Sequence, residues 1–177
     1  MSRRAERLAI IAALVLVSCR GGTPGEAEKS FVGRMIPHHH LGMELIDEAT
    51  RNSDGVELRR LVFEMGGYHH DELTRLTRWA KDWGIKEALM FPGGIAKADL
   101  ARLASLRGPG HDTWWLHVMI EHHRGALVIS REALASANDP GITSMAESVI
   151  SVQEKQIGEM EDLSLRLCRS RSDLPGC

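Results

Sequence analysis

Apolar residues recur at three- and four-residue intervals over four long stretches, Ser30–Asn52, Val56–Trp83, His111–Ala137 and Ile142–Leu167. That is the period of an amphipathic helix, and no segment alternates with period two as a strand would. The turns between the paired stretches are short: Ser53-Asp54-Gly55 in the first pair and Asn138-Asp139-Pro140-Gly141 in the second. Asp54 and Asp139 are expected as N-caps, Pro140 as a first helical residue and Gly84 as a stop. The pattern predicts an all-α chain, an up-down bundle of four helices. Between the two hairpins, Gly84–Gly110 carries the breakers Pro92-Gly93-Gly94 and Gly108-Pro109-Gly110, with a short surface helix expected at Lys97–Leu106.

On a helical wheel of ~100° per residue, every apolar stripe is interrupted near its middle by polar residues. The first helix points Phe31, Met35, His38/His39, Gly42, Ile46 and Ala49 inward. The second points Leu58, Leu61, Met65, Tyr68, His69, Glu72, Leu76, Trp79 and Trp83. Trp115, Met119, His122/His123, Ala126 and Ala133 line the third, and Met145, Val149, Val152, Gln153, Gln156, Met160 and Leu163 the fourth. His40, His70 and His117 fall on outward faces, and His111 is expected as a capping or loop residue.

The two hairpins are copies. Residue i aligns with residue i+84 without a gap: Phe31 with Trp115, Met35 with Met119, His38-His39 with His122-His123, Met65 with Val149, His69 with Gln153 and Glu72 with Gln156. A match of this kind marks a duplicated structural unit. The units run 31–83 and 111–167, with 84–110 as linker and 168–177 as a tail.

Buried polar groups cost a few kcal/mol each unless satisfied, so four matched interruptions must either satisfy one another or hold something. Met35 and His39, His39 and Met43, Met65 and His69, and Met119 and His123 are each one turn apart, which puts sulfur and nitrogen on one side of a helix. Imidazole with thioether suits copper, Cu(I) above Cu(II), whereas zinc favours His with Cys or carboxylate. Glu72 is the only carboxylate in the layer; a di-iron site would draw about four Glu from the helices. No organic cofactor is expected, and no G-x-S-x-G or paired carboxylate points to catalysis. A small metal-dependent oxidase, or a structural lipoprotein whose polar layer only fixes helix register, are the competing readings.

Composition adds little to this. With 22 Lys+Arg against 24 Asp+Glu and a net charge of −2, there is no basic excess for nucleic acid. The N-terminus is more informative. Arg3, Arg4 and Arg7 precede the apolar run Leu8–Val17, which is too short to span a bilayer at about 20 residues and has the proportions of a signal peptide. Leu16-Val17-Ser18-Cys19 resembles a lipoprotein cleavage box, so residues 1–18 are expected as signal, Cys19 as the lipidated residue and 19–30 as a tether. The expected location is the bacterial cell envelope, facing periplasm or exterior, with a lipid-anchored membrane contact. Cys168 and Cys177, separated by turn residues, are expected to form a disulfide in an oxidising compartment.

The segments MIPHHHLGM and MIEHHRGAL, each followed by a second helix with a Q/E-x-x-[EQ]-[IL]-x-x-[ML] pattern, resemble the family of domains of unknown function numbered 305 (DUF305), over about Phe31–Leu167. The resemblance implies a ferritin-like four-helix bundle, secreted or membrane-anchored, with copper binding or tolerance in some members. It implies Met35, His38, His39, Met119, His122 and His123 as motif positions, and Gln153, Gln156 and Met160 in the second unit. Unit one departs from the family, with His69 where Gln is usual and Leu76 where Met is usual. A buffering or transfer role implies a copper-transfer partner or a homo-oligomer.

Overall fold

The computed structural model describes residues 23–86 and 88–177. The expectations for the signal peptide and for Cys19 lie outside them. Every described element is helical: α1 (Glu26–Asn52), α2 (Val56–Trp83), α3 (Lys97–Ser105), α4 (Gly108–Ser136) and α5 (Pro140–Ser170). The long helices start and end near the boundaries read from periodicity. Asp139 caps α5, its Oδ1 accepting from Gly141 N at 2.8 Å and Ile142 N at 3.1 Å. Gly84 ends α2 in the left-handed region, at φ 67°. Asp54 does not cap α2. The N-cap position is Gly55, and the turn is closed by Ser53 Oγ, which accepts from Gly55 N at 3.1 Å.

α1 packs against α2 and α4, and α5 against α4 and α2. The second hairpin is inverted relative to the first. Trp115, near the start of α4, donates from Nε1 to Leu45 O near the end of α1 at 2.8 Å. Conversely Glu28, at the start of α1, accepts from Asn138 N at 2.7 Å and Asp139 N at 3.1 Å in the α4–α5 turn. Glu28 aligns with Asp112 in the repeat, and Asp112 sits against Gly55 in the α1–α2 turn. Each unit's leading helix therefore brings a carboxylate to the other unit's turn, and that of Glu28 is bonded there.

This inversion divides the core. One apolar cluster holds Leu45, Ala49, Leu58, Leu61, Met65, Trp115, Met119, Met160 and Leu163. The other holds Phe31, Met35, Leu76, Ala126, Ile129, Ile142, Met145 and Val149. Between them lies the polar layer. Because α2 ends beside the second cluster and α4 begins beside the first, the linker has to travel the length of the helices. Phe91 packs on the second cluster, and Leu103 of α3 is buried in the first.

Two wheel assignments are corrected. Tyr68 is half exposed rather than inward, because the inward angle at that height is taken by His69. His111 is neither a cap nor a loop residue. It lies fully buried inside α4, its Nε2 2.8 Å from Glu48 Oε2 and its Nδ1 3.1 Å from Asp112 Oδ1. Burial opposes charge on this ring, but hydrogen bonds to the two carboxylates outweigh burial and raise its pKa above the ordinary histidine value. At the tail, Cys168 and Cys177 are joined by a disulfide, with Cα atoms 5.5 Å apart.

Candidate metal centre

Five imidazoles meet in the polar layer: His38 and His39 from α1, His69 from α2, and His122 and His123 from α4, none more than 1% exposed. Their rings form a closed circuit, with centroid separations of 5.9 Å (His38–His39), 4.9 Å (His39–His69), 5.7 Å (His69–His123), 6.2 Å (His123–His122) and 3.8 Å (His122–His38, stacked). Adjacent histidines converge because each pair straddles the inward angle of its helix, and the inverted hairpins bring the two pairs to one height.

Each ring is bonded through one nitrogen to an oxygen acceptor. His39 Nε2 lies 2.8 Å from Glu72 Oε2, and His123 Nε2 lies 2.9 Å from Gln156 Oε1, the same bond in both copies. His38 Nε2 donates to His122 O at 3.0 Å, His69 Nδ1 to Met65 O at 3.1 Å and His122 Nδ1 to Gly93 O at 3.0 Å. The other nitrogen of every ring, His38 Nδ1, His39 Nδ1, His69 Nε2, His122 Nε2 and His123 Nδ1, is buried with no partner. With the proton committed to an oxygen, the free nitrogen is a bare lone pair. Burial pushes His122 down to about 3 and His123 to about 4, and drives His38 and His69 well below the ordinary histidine range, helped by their imidazole neighbours. The lone pairs of these four rings therefore persist at neutral pH. A ring bonded at one nitrogen and free at the other is the state in which imidazole ligates a metal.

Gly42 leaves the space into which two of these lone pairs face. A Cβ on Gly42 would fall 2.8 Å from His69 Nε2 and 3.0 Å from His122 Nε2. In unit two, the residue aligned with Gly42 is Ala126 and the one aligned with His69 is Gln153, so the copy with the larger ring has the smaller neighbour. Gln153 is buried, and both its amide atoms lack partners, as does Ser130 Oγ. Met65, Met119 and Met160 lie in one apolar cluster and Met35 in the other, all fully buried. Met43 does not join the layer. It lines a groove of about 500 Å³ between α1 and α2 with Phe63, Gly66 and His70, because position 43 has turned past the inward angle. His40, His70 and His117 are exposed, as their wheel positions predict. Among the described residues, no three His, Cys, Asp or Glu side chains are gathered closely enough to enclose an ion by themselves.

Sequence reading missed the cover of this layer. The linker passes over it, with Phe91 edge-on to His38 at 5.5 Å and Gly93 bonded to His122. Leu89 N donates to Gly33 O at 3.0 Å, the carbonyl that Pro37, having no N–H, leaves without its helical partner. Pro37 inside an otherwise helical motif, and Gly125 directly after His122-His123-Arg124, were the available signals.

Fold and layer together define an all-α protein with a shielded set of imidazole donors between two apolar clusters. The model of the family described as "Domain of unknown function (DUF305)" matches residues 28–164, and the chain belongs to that family. A DUF305 protein from Streptomyces coelicolor superposes with TM-score 0.75 at 23% identity, covering 80% of this chain and 92% of that one. A DUF305 fragment from Deinococcus radiodurans gives 0.74 at 22%, covering 81% and 98%. CopM in its Cu(I)-bound form gives 0.68 at 21%, covering 78% and 96%, and CopM is also known in Cu(II)-bound and Ag-bound forms. No curated protein matches the sequence. No described helix is long and apolar enough to cross a membrane.

Proposed function

We propose that the chain is an extracytoplasmic metal-binding protein, a ferritin-like four-helix bundle anchored by lipid at Cys19, that buffers copper or hands it on, with Cu(I) preferred to Cu(II). The observation that supports this reading is the set of five buried imidazole lone pairs, each backed by an oxygen on the opposite nitrogen. Leaving so many acceptors unpaired in an apolar interior is costly, and a soft cation satisfies them. His38, His39, His69, His122 and His123 supply nitrogen. Met35, Met65, Met119 and Met160, from the two apolar clusters on either side of the layer, are the proposed thioether donors, and Gln153 the proposed amide oxygen. Glu72 and Gln156 orient His39 and His123 rather than ligate. Neutral, buried donors favour the monovalent ion over the divalent one, since each added charge raises the cost of leaving water. The copper- and silver-bound forms of CopM, which shares the fold, support the same class of ligand.

A layer that only fixes helix register is the second reading, favoured by the lack of a ready-gathered three-residue cage. A competitive Cu(I) titration separates the two. His39→Ala and His123→Ala each weaken binding at least as much as loss of an outer-shell partner, about 10–100-fold, while His70→Ala and His117→Ala leave it unchanged. His69→Ala reports whether the two halves contribute unequally. Equal affinities in all five variants would leave the register reading standing.

A further inference from the structure

We propose that the linker segment Leu89–Gly93 is a positioning strap: it fixes His122 in the Nδ1–H form, so that its Nε2 lone pair faces His69 Nε2 over Gly42, and it shuts the histidine layer from solvent. The purpose of this device rests on the metal-binding reading above; its existence does not, and its test uses the metal-free protein.

Three contacts seat the strap, and each falls on a special feature of the sequence. Leu89 N occupies Gly33 O, which is vacant because Pro37, directly before His38, interrupts the α1 ladder. Phe91 closes over His38. Gly93, at φ 78°, turns its carbonyl onto His122 Nδ1. That turn requires the strap backbone to lie directly on α4, and Gly125 permits it: a Cβ there would fall 2.5 Å from Gly93 Cα and closer still to Pro92 O. His122 differs from the other four rings in this respect. Its orienting oxygen comes from the linker, whereas the other four are oriented by groups on the long helices. The unit-two copy of the motif has Glu121 where unit one has Pro37, so only α1 offers a free carbonyl to dock the strap.

The readouts are the deuterium exchange rate at each imidazole C2–H and the tautomer from ring nitrogen shifts, measured on the metal-free full chain. In Gly125→Ala the strap must lift. Exchange at His122 and His38 then rises about tenfold, the local-opening equivalent of ~1.4 kcal/mol, and His122 becomes a tautomer mixture, while His39, His69 and His123 keep wild-type rates. Gly94→Ala, whose Cβ meets nothing nearer than Phe91 O at 3.9 Å, behaves as wild type. Pro37→Ala is the second arm, and it does not threaten folding. It returns an N–H to Gly33 O, so α1 is stabilised and the strap loses its dock. Faster exchange at His122 with an unchanged or higher Tm is the expected result, a combination that a merely structural role does not produce. Unchanged His122 tautomer and exchange in both Gly125→Ala and Pro37→Ala, or an equal rise at all five rings, would overturn the proposal.

Discussion

Gly42→Ala tests the layer with the smallest possible perturbation, one methyl group placed where two imidazole lone pairs face each other. The added carbon would sit 2.8 Å from both Cδ2 and Nε2 of His69 and 3.0 Å from Nε2 of His122. Ordinary contact is roughly 3.5–4.0 Å, so each ring must retreat by most of an ångström. Neither is free to do so, because His69 is tied to Met65 O and His122 to Gly93 O. Overpacking of this kind costs about 1–3 kcal/mol, and relief of the glycine penalty inside a helix returns roughly 0.5–1 kcal/mol. The net is a loss of about 0–2.5 kcal/mol, which at roughly 2–4 °C per kcal/mol lowers Tm by at most about 10 °C. Binding is affected more strongly, since the methyl occupies the space a cation would share with the two nitrogens; Cu(I) affinity is expected to fall at least tenfold. Gly66→Ala, whose Cβ meets only Ile46 Cγ2 at 3.7 Å, is the control and leaves affinity unchanged. Thermal unfolding and a Cu(I) competition assay on the three proteins suffice. Wild-type affinity in Gly42→Ala, with the expected drop in Tm, would show that no ion sits between His69 and His122.

Two further outcomes follow from the charge states of the histidines and one from the reciprocal turn contacts. The depressed pKa values of His38, His69, His122 and His123 mean that the unfolded chain binds protons the folded one refuses. Stability of the metal-free protein is therefore intact above about 6.5 and falls with pH towards 3–4, His122 alone contributing on the order of 4 kcal/mol; a flat chemical-denaturation profile between pH 7 and 4 would contradict this. His111 has the opposite sign. Its raised pKa contributes stability below about 6.5 that is lost as pH rises through the raised value, so His111→Gln should remove a decline on the alkaline side that wild type shows. Glu28→Ala strands two backbone N–H groups of the α4–α5 turn, with an expected cost of roughly 2 kcal/mol and a Tm lower by roughly 4–8 °C; an unchanged Tm would mean that water replaces the carboxylate at no cost.

The helices and the histidine layer were legible because both depend on periodicity alone. A 3.6-residue repeat fixes which face is buried, and the i to i+84 register fixes that the two polar interruptions correspond. The bonds of His39 to Glu72 and of His123 to Gln156 needed the packing of α1 on α2 and of α4 on α5, which neither fact supplies. His111 was misread because the signals around it, Gly108-Pro109-Gly110, mark a helix start, whereas its burial comes from Glu48, a residue of another helix. Tyr68 was misplaced by an angular error that a wheel cannot resolve at the edges of a stripe, and Met43 was named from its one-turn spacing to His39, which does not fix whether a side chain reaches the layer. The cover over His38 and His122 was missed for a different reason. Wheels describe each helix against an unspecified interior, and a linker without periodicity has no predicted face.

The inversion of the second hairpin also bears on how such a chain arose. Two identical hairpins, related by a twofold axis, would pack as a symmetric pair with their turns at opposite ends, each turn met by a carboxylate of the other copy's leading helix, as Glu28 and Asp112 meet theirs. Joining them in one chain requires a connection that begins at one end of the pair and finishes at the other. It must pass the mid-height, where the duplicated histidines lie. In one chain the halves are not interchangeable: the connection runs past one side only, and the positions that correspond to Pro37 and Gly125 in the other copy are Glu121 and Leu41.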